Sequence, residues 1–255
     1  MLKEFDVYHV IDACIDWIKD YFANTNGSTA IVGISGGKDS TVTAALLSKA
    51  LGKDSVIGVL MPNGVQKDIE YSYKVCKELG IESCVLNVNP MYDYLLKEIK
   101  SFNEIAARFV SNTPARLRMV TLYAIASNIK GSRVANTCNL SESIVGWETY
   151  GGDGFGDFSP LGLLTKTEVC EIGHALNLSS DLVDKIPDDG MCGFSDEDKF
   201  GFTYEELDTT IRHEDYCATN FEKICRMNKN SHFKHEQLKL PVFDPHLLIN
   251  PVFNW

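Results

Sequence analysis

Positive charge is scarce in this chain. Its 24 Lys and Arg stand against 35 Asp and Glu, for a net charge of -11. That balance excludes a general nucleic-acid binder, because phosphate contacts need clustered cations. A local basic pocket stays compatible with it. Paired cysteines are missing too. None of the eight (Cys14, Cys76, Cys84, Cys138, Cys170, Cys192, Cys217 and Cys225) sits in a C-x-x-C pair, which excludes the zinc-ribbon and thioredoxin patterns. Reduced thiols and a cytoplasmic location are the expectation, since the first residues, MLKEFDVYHVIDACIDWIKDYF, mix charges into an apolar pattern and lack a signal-peptide core. No uncharged apolar run is long enough to cross a bilayer, and neither repeats nor low-complexity tracts occur. What the chain does have is 44% hydrophobic residues over 255 positions, enough to bury a core and to exclude wholesale disorder.

Apolar residues from Val10 to Phe22 recur at helical spacing and predict an amphipathic helix over 5–23. Residues 29–34 are short, apolar and β-branched, as in a strand buried on both faces. A glycine loop follows, then a helix over 41–50, a strand over 55–61, a helix over 66–79 and a strand over 82–88. This alternation predicts a parallel sheet wrapped by helices. Further helices are expected over 91–109, 114–129, 165–176 and 203–212, with a strand over 133–137. Residues 146–164 read as loop, and the proline-rich stretch from residue 240 onward as extended chain. No linker interrupts the pattern, so residues 1–255 are expected to form a single domain.

Residues 31–41, IVGISGGKDST, carry the chemistry. They are not a P-loop: G-x-x-x-x-G-K-[ST] would need Gly where Val32 stands and a hydroxyl where Asp39 stands. The dinucleotide fingerprint fails as well, because Gly33, Gly36 and Gly37 are wrongly spaced. What remains is strand, then S-G-G-x-D-S, then helix. Gly36 and Gly37 let the backbone turn and approach an anion, and the free N–H groups of the helix start point at the same place. Ser35 and Ser40 add hydroxyls. An aspartate beside a phosphate calls for a divalent cation, so Asp39 reads as a Mg²⁺ ligand; the plainer alternative is a glycine-rich turn with Asp39 and Ser40 as helix caps.

This loop resembles that of the ATP pyrophosphatases, which cleave ATP to AMP and pyrophosphate while adenylating a substrate. Three later segments narrow the resemblance to ammonia-dependent NAD synthetases. Asn112-Thr-Pro-Ala-Arg116-Leu-Arg118-Met119, with Tyr123 after it, is similar to the family's N-x-x-A-R-x-R-M…Y. Val134-Ala-Asn136-Thr137-Cys-Asn139-Leu-Ser-Glu142 is similar to V-x-G-T-x-N-x-x-E. Gly152-Asp-Gly-Phe-Gly-Asp157-Phe-Ser-Pro160, then Leu164-Thr-Lys166, is similar to G-D-G-x-x-D-x-x-P…L-x-K. The run Asp196-Glu197…Gly201-x-x-Tyr204-x-x-x-Asp208 is also typical.

The resemblance implies an α/β fold with a doubly wound parallel sheet, of the Rossmann-like adenine nucleotide alpha hydrolase type, with helices on both faces. It implies a ligase that amidates deamido-NAD with ammonia, using ATP and Mg²⁺ through an acyl-adenylate. ATP would be met by Gly33, Ile34, Ser35, Gly36, Gly37, Lys38, Asp39, Ser40, Met61, Thr137, Lys166 and Asp188. Asp39 and Glu142 would hold Mg²⁺. Deamido-NAD would be met by Arg116, Tyr150, Asp157 and His235. Asp39, Lys166 and Asp157 would carry catalysis, and a homodimer is implied with residues 91–130 at its interface. The resemblance leaves little chain for a glutaminase domain, so free ammonia is the expected donor.

The sequence departs from the family pattern at Asn136 for Gly, at Tyr150 for Lys, at Asp188 for a hydroxyl residue, and at His235-Glu236 for a His-Lys pair. Asn136 is expected to be tolerated because asparagine accepts positive φ. Two rivals stay open: another ATP pyrophosphatase, and a nucleotide-binding homologue without turnover.

Overall fold

A computed structural model describes residues 5–185, 196–212, 219–236 and 240–246. Helix α1 (Val7–Asn24) starts where the Asp6 carboxylate accepts the His9 N–H, and it buries Val10, Ile11, Cys14, Ile18 and Phe22. Then come β1 (Thr29–Gly33), α2 (Lys38–Leu51), β2 (Val56–Leu60), α3 (Ile69–Leu79) and β3 (Glu82–Val85). Next are α4 (Asn89–Phe102), α5 (Ala107–Ala126), β4 (Ser132–Val134), α6 (Leu140–Val145), α7 (Lys166–Ala175) and α8 (Ser180–Val183). Helices α9 (Asp196–Phe200), α10 (Tyr204–Arg212), α11 (Phe221–Ser231) and α12 (Phe233–Glu236) complete the described elements.

The four strands form one sheet in the order β3-β2-β1-β4, and every pairing is parallel. Short βα units whose crossovers pack back onto the sheet give this order. Ala30 and Val32 of β1 face a core shared with α1, α2 and α7, and Ile31 faces the opposite core with Leu117, Met119 and Leu122 of α5. Burial on both faces explains why β1 reads as a continuous apolar run. A third core is purely helical: Leu140, Ile144 and Val145 of α6 meet Phe200, Leu207, Ile211 and Ile224.

The structure corrects the sequence reading in four places. The break between α4 and α5 falls at 103–106 rather than before Pro114, which lies inside α5; a helix anchored by Leu117 and Leu122 absorbs the one backbone donor that proline removes. Helix α2 begins at Lys38, so the glycine loop is shorter than expected. Residues 157–159 are not free loop: Asp157 N–H donates to the Val134 carbonyl (2.8 Å), Asn136 N–H to Phe158 (2.8 Å), and Ser159 bridges to Val242. Helices α6 and α11, which the pattern did not single out, supply Leu140, Ile144, Val145 and Ile224 to the third core.

Candidate active site

The C-terminal ends of β1 and β4 are adjacent in the sheet, the edge where α/β proteins place ligands. Gly36 bears φ +80°, and a Cβ there would lie 2.9 Å from both the Ser72 nitrogen and the Tyr71 Cβ of α3. Only glycine fits. Gly37 is extended and caps α2 without a side-chain partner, leaving N–H groups of the first turn pointing out of the loop. Ser40 is buried and donates to the Gly37 carbonyl (3.1 Å), while its Oγ accepts the Ser35 N–H (3.3 Å). The hydroxyl of Ser40 thus braces the turn from inside. Lys38 reaches the Cys170 sulfur at 3.4 Å. Gly33 closes β1 and Ile34 follows it, and a Cβ at Gly33 would lie 3.2 Å from the Met61 methyl.

Asp39, in the first turn of α2, does not cap its helix. One oxygen accepts the Asn139 side-chain amide at 2.8 Å, and the other accepts Lys166 Nζ at 2.9 Å. Glu142 arrives from α6. Its Oε2 closes a capping box on the Asn139 N–H, and its Oε1 accepts Lys166 Nζ at 2.7 Å. Two carboxylates, from the helices that follow the neighbouring strands β1 and β4, therefore share one cation.

Lys166 opens α7, where Thr165 and Glu168 form a second capping box. Its backbone N–H donates to Ser141 Oγ (2.9 Å), Ser141 bonds the buried Asp208, and Asp208 also accepts the Thr167 N–H and hydroxyl. The Tyr204 ring lies 5.0 Å from Nζ, close enough for a cation–π contact. Burial opposes the Lys166 charge, but the Asp39 and Glu142 carboxylates prevail and hold the ammonium well above the ordinary lysine value. Burial moves the Glu142 carboxyl the other way from a surface glutamate, upward, against the pull of Lys166. Burial, reinforced by Asp153, raises the Cys138 thiol far above its usual range, so it stays protonated and is no nucleophile.

The remaining predicted residues spread around this centre. Thr137 follows β4 and is half-buried. Asp157 is held hard: its Oδ1 accepts the Tyr123 hydroxyl (2.9 Å) and its Oδ2 the Val134 N–H (2.8 Å). Arg116 donates Nε to the Tyr150 carbonyl (3.1 Å), and the exposed Tyr150 ring tilts against Phe233 at 6.2 Å. Arg118 is drawn inward, donating to the Met61 carbonyl at 2.9 Å, and burial lowers its pKa. Lys234 bonds the Gly146 and Glu148 carbonyls. Asp188 and the side chain of His235 lie outside the described residues.

Asn136 does not use positive φ. Its amide donates to the Asp153 and Phe155 carbonyls (2.8 and 3.0 Å), and its oxygen accepts Cys138 N–H and Ser159 Oγ (2.9 and 3.1 Å). The side chain itself braces the glycine-rich segment, which corrects the expectation from backbone tolerance. Asn139, Ser141, Tyr204 and Asp208 were not assigned roles by sequence, although Asn139-x-x-Glu142 carries the capping-box spacing that would have located α6.

Among the described residues no three His, Cys, Asp or Glu converge as a metal cage. The donor set still suits Mg²⁺, which takes one or two carboxylates and completes its shell with water and phosphate oxygens. The Lys166 ammonium between Asp39 and Glu142 marks where such a charge is welcome. No helix among the described residues is long and apolar enough to cross a membrane.

Comparison with known proteins agrees with this geometry. Residues 10–238 match the family model for NAD synthase. The NH(3)-dependent NAD(+) synthetase of Finegoldia magna is 37% identical over 89% of this chain and 93% of its own length. The NMN synthetase of Francisella tularensis superposes with a TM-score of 0.84 at 31% identity, covering 94% of this chain and 100% of that one. The NH3-dependent NAD synthetase of Campylobacter jejuni, solved with a nitrate ion, gives 0.76 at 25% identity over 93% and 99% of the two chains.

Proposed function

The chain belongs to the NAD synthase family, and from that premise we propose that it is a ligase that amidates the nicotinate carboxylate of deamido-NAD with free ammonia, converting ATP to AMP and pyrophosphate. The observation that carries the reading is the convergence of Asp39 and Glu142 on one cation beside the glycine loop.

In this reading Asp39 and Glu142 would hold Mg²⁺, which supplies charge neutralisation on the phosphates when bound. The loop backbone at Gly36 and Gly37 and the first turn of α2 cradle the departing pyrophosphate. Lys38 and Lys166 stabilise the charge that builds on it. Gly33, Ile34, Ser35, Met61 and Thr137 line the ATP. The nicotinate carboxylate attacks the α-phosphorus, and the resulting acyl-adenylate gives ammonia a carbon with a good leaving group. Arg116 and Tyr150 face the acceptor. Asp157, fixed by Tyr123 and Val134, orients acceptor and ammonium. Catalysis here is chiefly positioning and electrostatics.

A homodimer through residues 91–130 belongs to the same reading. The apolar side chains exposed on α4 and α5, Met91, Tyr94, Phe102, Val110 and Val120, support it.

A second reading replaces the dinucleotide by nicotinate mononucleotide. Its support is the end-to-end superposition on the NMN synthetase, together with Tyr150 where the family pattern has lysine. One experiment tests both: ATP, Mg²⁺ and ammonium with either acceptor, following the amide product and AMP by chromatography, with Asp39→Ala as control. The proposal expects NAD and AMP in equal amounts from deamido-NAD, lost in the variant. Amidation of the mononucleotide alone would move the assignment to the second reading. Neither product, from folded protein that binds ATP, would remove both.

A further inference from the structure

Lys166 stands where the reaction needs a metal. Its Nζ lies 2.9 Å from Asp39 and 2.7 Å from Glu142, the two carboxylates assigned to Mg²⁺. Its side chain is 6% exposed, whereas Asp39 and Glu142 remain 19% and 16% exposed. The carboxylates can therefore be reached from solvent, while the ammonium is enclosed behind them, over the Tyr204 ring.

We propose that Lys166 is a resident cation that substitutes for Mg²⁺ in the ligand-free protein, so that the metal is admitted only together with a nucleotide. The inference rests on the assignment of Asp39 and Glu142 as metal ligands. Without Lys166, two half-enclosed carboxylates would repel each other. With it, the cluster carries one net negative charge. A dication arriving alone would sit against a buried ammonium, and neither charge would have enough anion to pair with. Triphosphate changes the count. Its oxygens complete the metal shell and give the displaced ammonium a new partner. The anchoring of Lys166 favours such an exchange. Its backbone is fixed by the Thr165–Glu168 capping box and by Ser141, so only the flexible stem moves. The same side chain would then pass from guarding the metal site to binding phosphate, and the order of binding would follow from charge alone.

The test uses Mn²⁺ as the probe, read by electron paramagnetic resonance on the full chain. Wild-type protein should bind no Mn²⁺ tightly by itself and one Mn²⁺ with a non-hydrolysable ATP analogue. Lys166→Met should bind one Mn²⁺ without nucleotide, about tenfold or more tighter than wild type, and Asp39→Asn added to it should abolish that site. In thermal melts Mg²⁺ alone should raise the midpoint of Lys166→Met and leave wild type unmoved. Tight nucleotide-free Mn²⁺ binding by wild type, removed by Asp39→Asn, overturns the inference even where Lys166→Met fails to fold. Equal Mn²⁺ affinity of the folded variant and wild type overturns it as well; both outcomes leave the proposed ligase intact. Failure of wild type to bind Mn²⁺ even with the analogue overturns the inference and the metal assignment together.

Discussion

The two sides of the site are built differently. On the proposed nucleotide side, the charged and turning residues are tied into the fold: Gly36 against the α3 backbone, Asp39 to Asn139 and Lys166, Glu142 into its own helix cap. On the proposed acceptor side Asp157 is held as firmly by Tyr123 and Val134, but the outer rim is exposed: Arg116 holds a carbonyl, and Tyr150 and Phe233 lean on each other at the surface. A pre-organised cluster suits chemistry common to every substrate that is adenylated, because its electrostatics must be in place before charge develops. A solvent-exposed rim can change its contacts at little cost in stability. Substrate choice is therefore expected to reside on the rim, and turnover in the cluster.

Four substitutions sharpen or break this contrast. Asp39→Ala should lower kcat/KM about a thousandfold, about 4 kcal/mol of transition-state stabilisation, and by the same factor for either acceptor in steady-state kinetics. A loss confined to one acceptor would break the division. Asp208→Ala leaves buried Ser141 and the α7 start without their acceptor, and should cost about 3 kcal/mol in urea unfolding while lowering kcat. Arg116→Ala should raise the acceptor KM about tenfold, leave the ATP KM unchanged, and shift unfolding by no more than about 0.5 kcal/mol. An equal rise in the ATP KM would mean that the rim is not separate. Smallest of all, Tyr150→Lys should move the dinucleotide-to-mononucleotide ratio of kcat/KM about threefold toward the dinucleotide, measured by competition between the two acceptors.

The same contrast governs what the sequence reveals. The βα alternation was legible because a sheet buried on both faces writes itself as apolar runs such as TAIVG. The glycine loop was legible because Gly36 has no substitute at its φ and its distance from α3. Helix α6 was not, since six residues cannot display a helical period. The α4–α5 break was misplaced because Pro114 is a stronger local signal than Asn103, although Asn103 makes the break by accepting the Glu104 N–H. Spacing along the chain could not place Lys166 on both carboxylates, because Asp39, Glu142 and Lys166 come from three separate helices. That juxtaposition belongs to the topology; the loop chemistry pointed to Asp39, and only the family resemblance named Glu142 and Lys166 in advance.

The pairing of residues 241–243 along Ser159 has a bearing on how the molecule is made. Ser159 N–H donates to the Pro241 carbonyl, Phe243 N–H returns to Ser159, and the Phe243 ring settles against Trp17. Trp17 lies on α1, far from Phe243 along the chain. Phe243 thus completes an aromatic edge that Trp17 otherwise shares with Tyr21 and Phe158, while the rest of the buried face of α1 meets α2 and α7. The N-terminal half can form its strands early, but its outer seam closes only when this late stretch arrives. The molecule thus has a built-in order of assembly, in which α1 can pack on α2 within the first βα unit and only the aromatic edge at Trp17 waits for the 241–243 stretch.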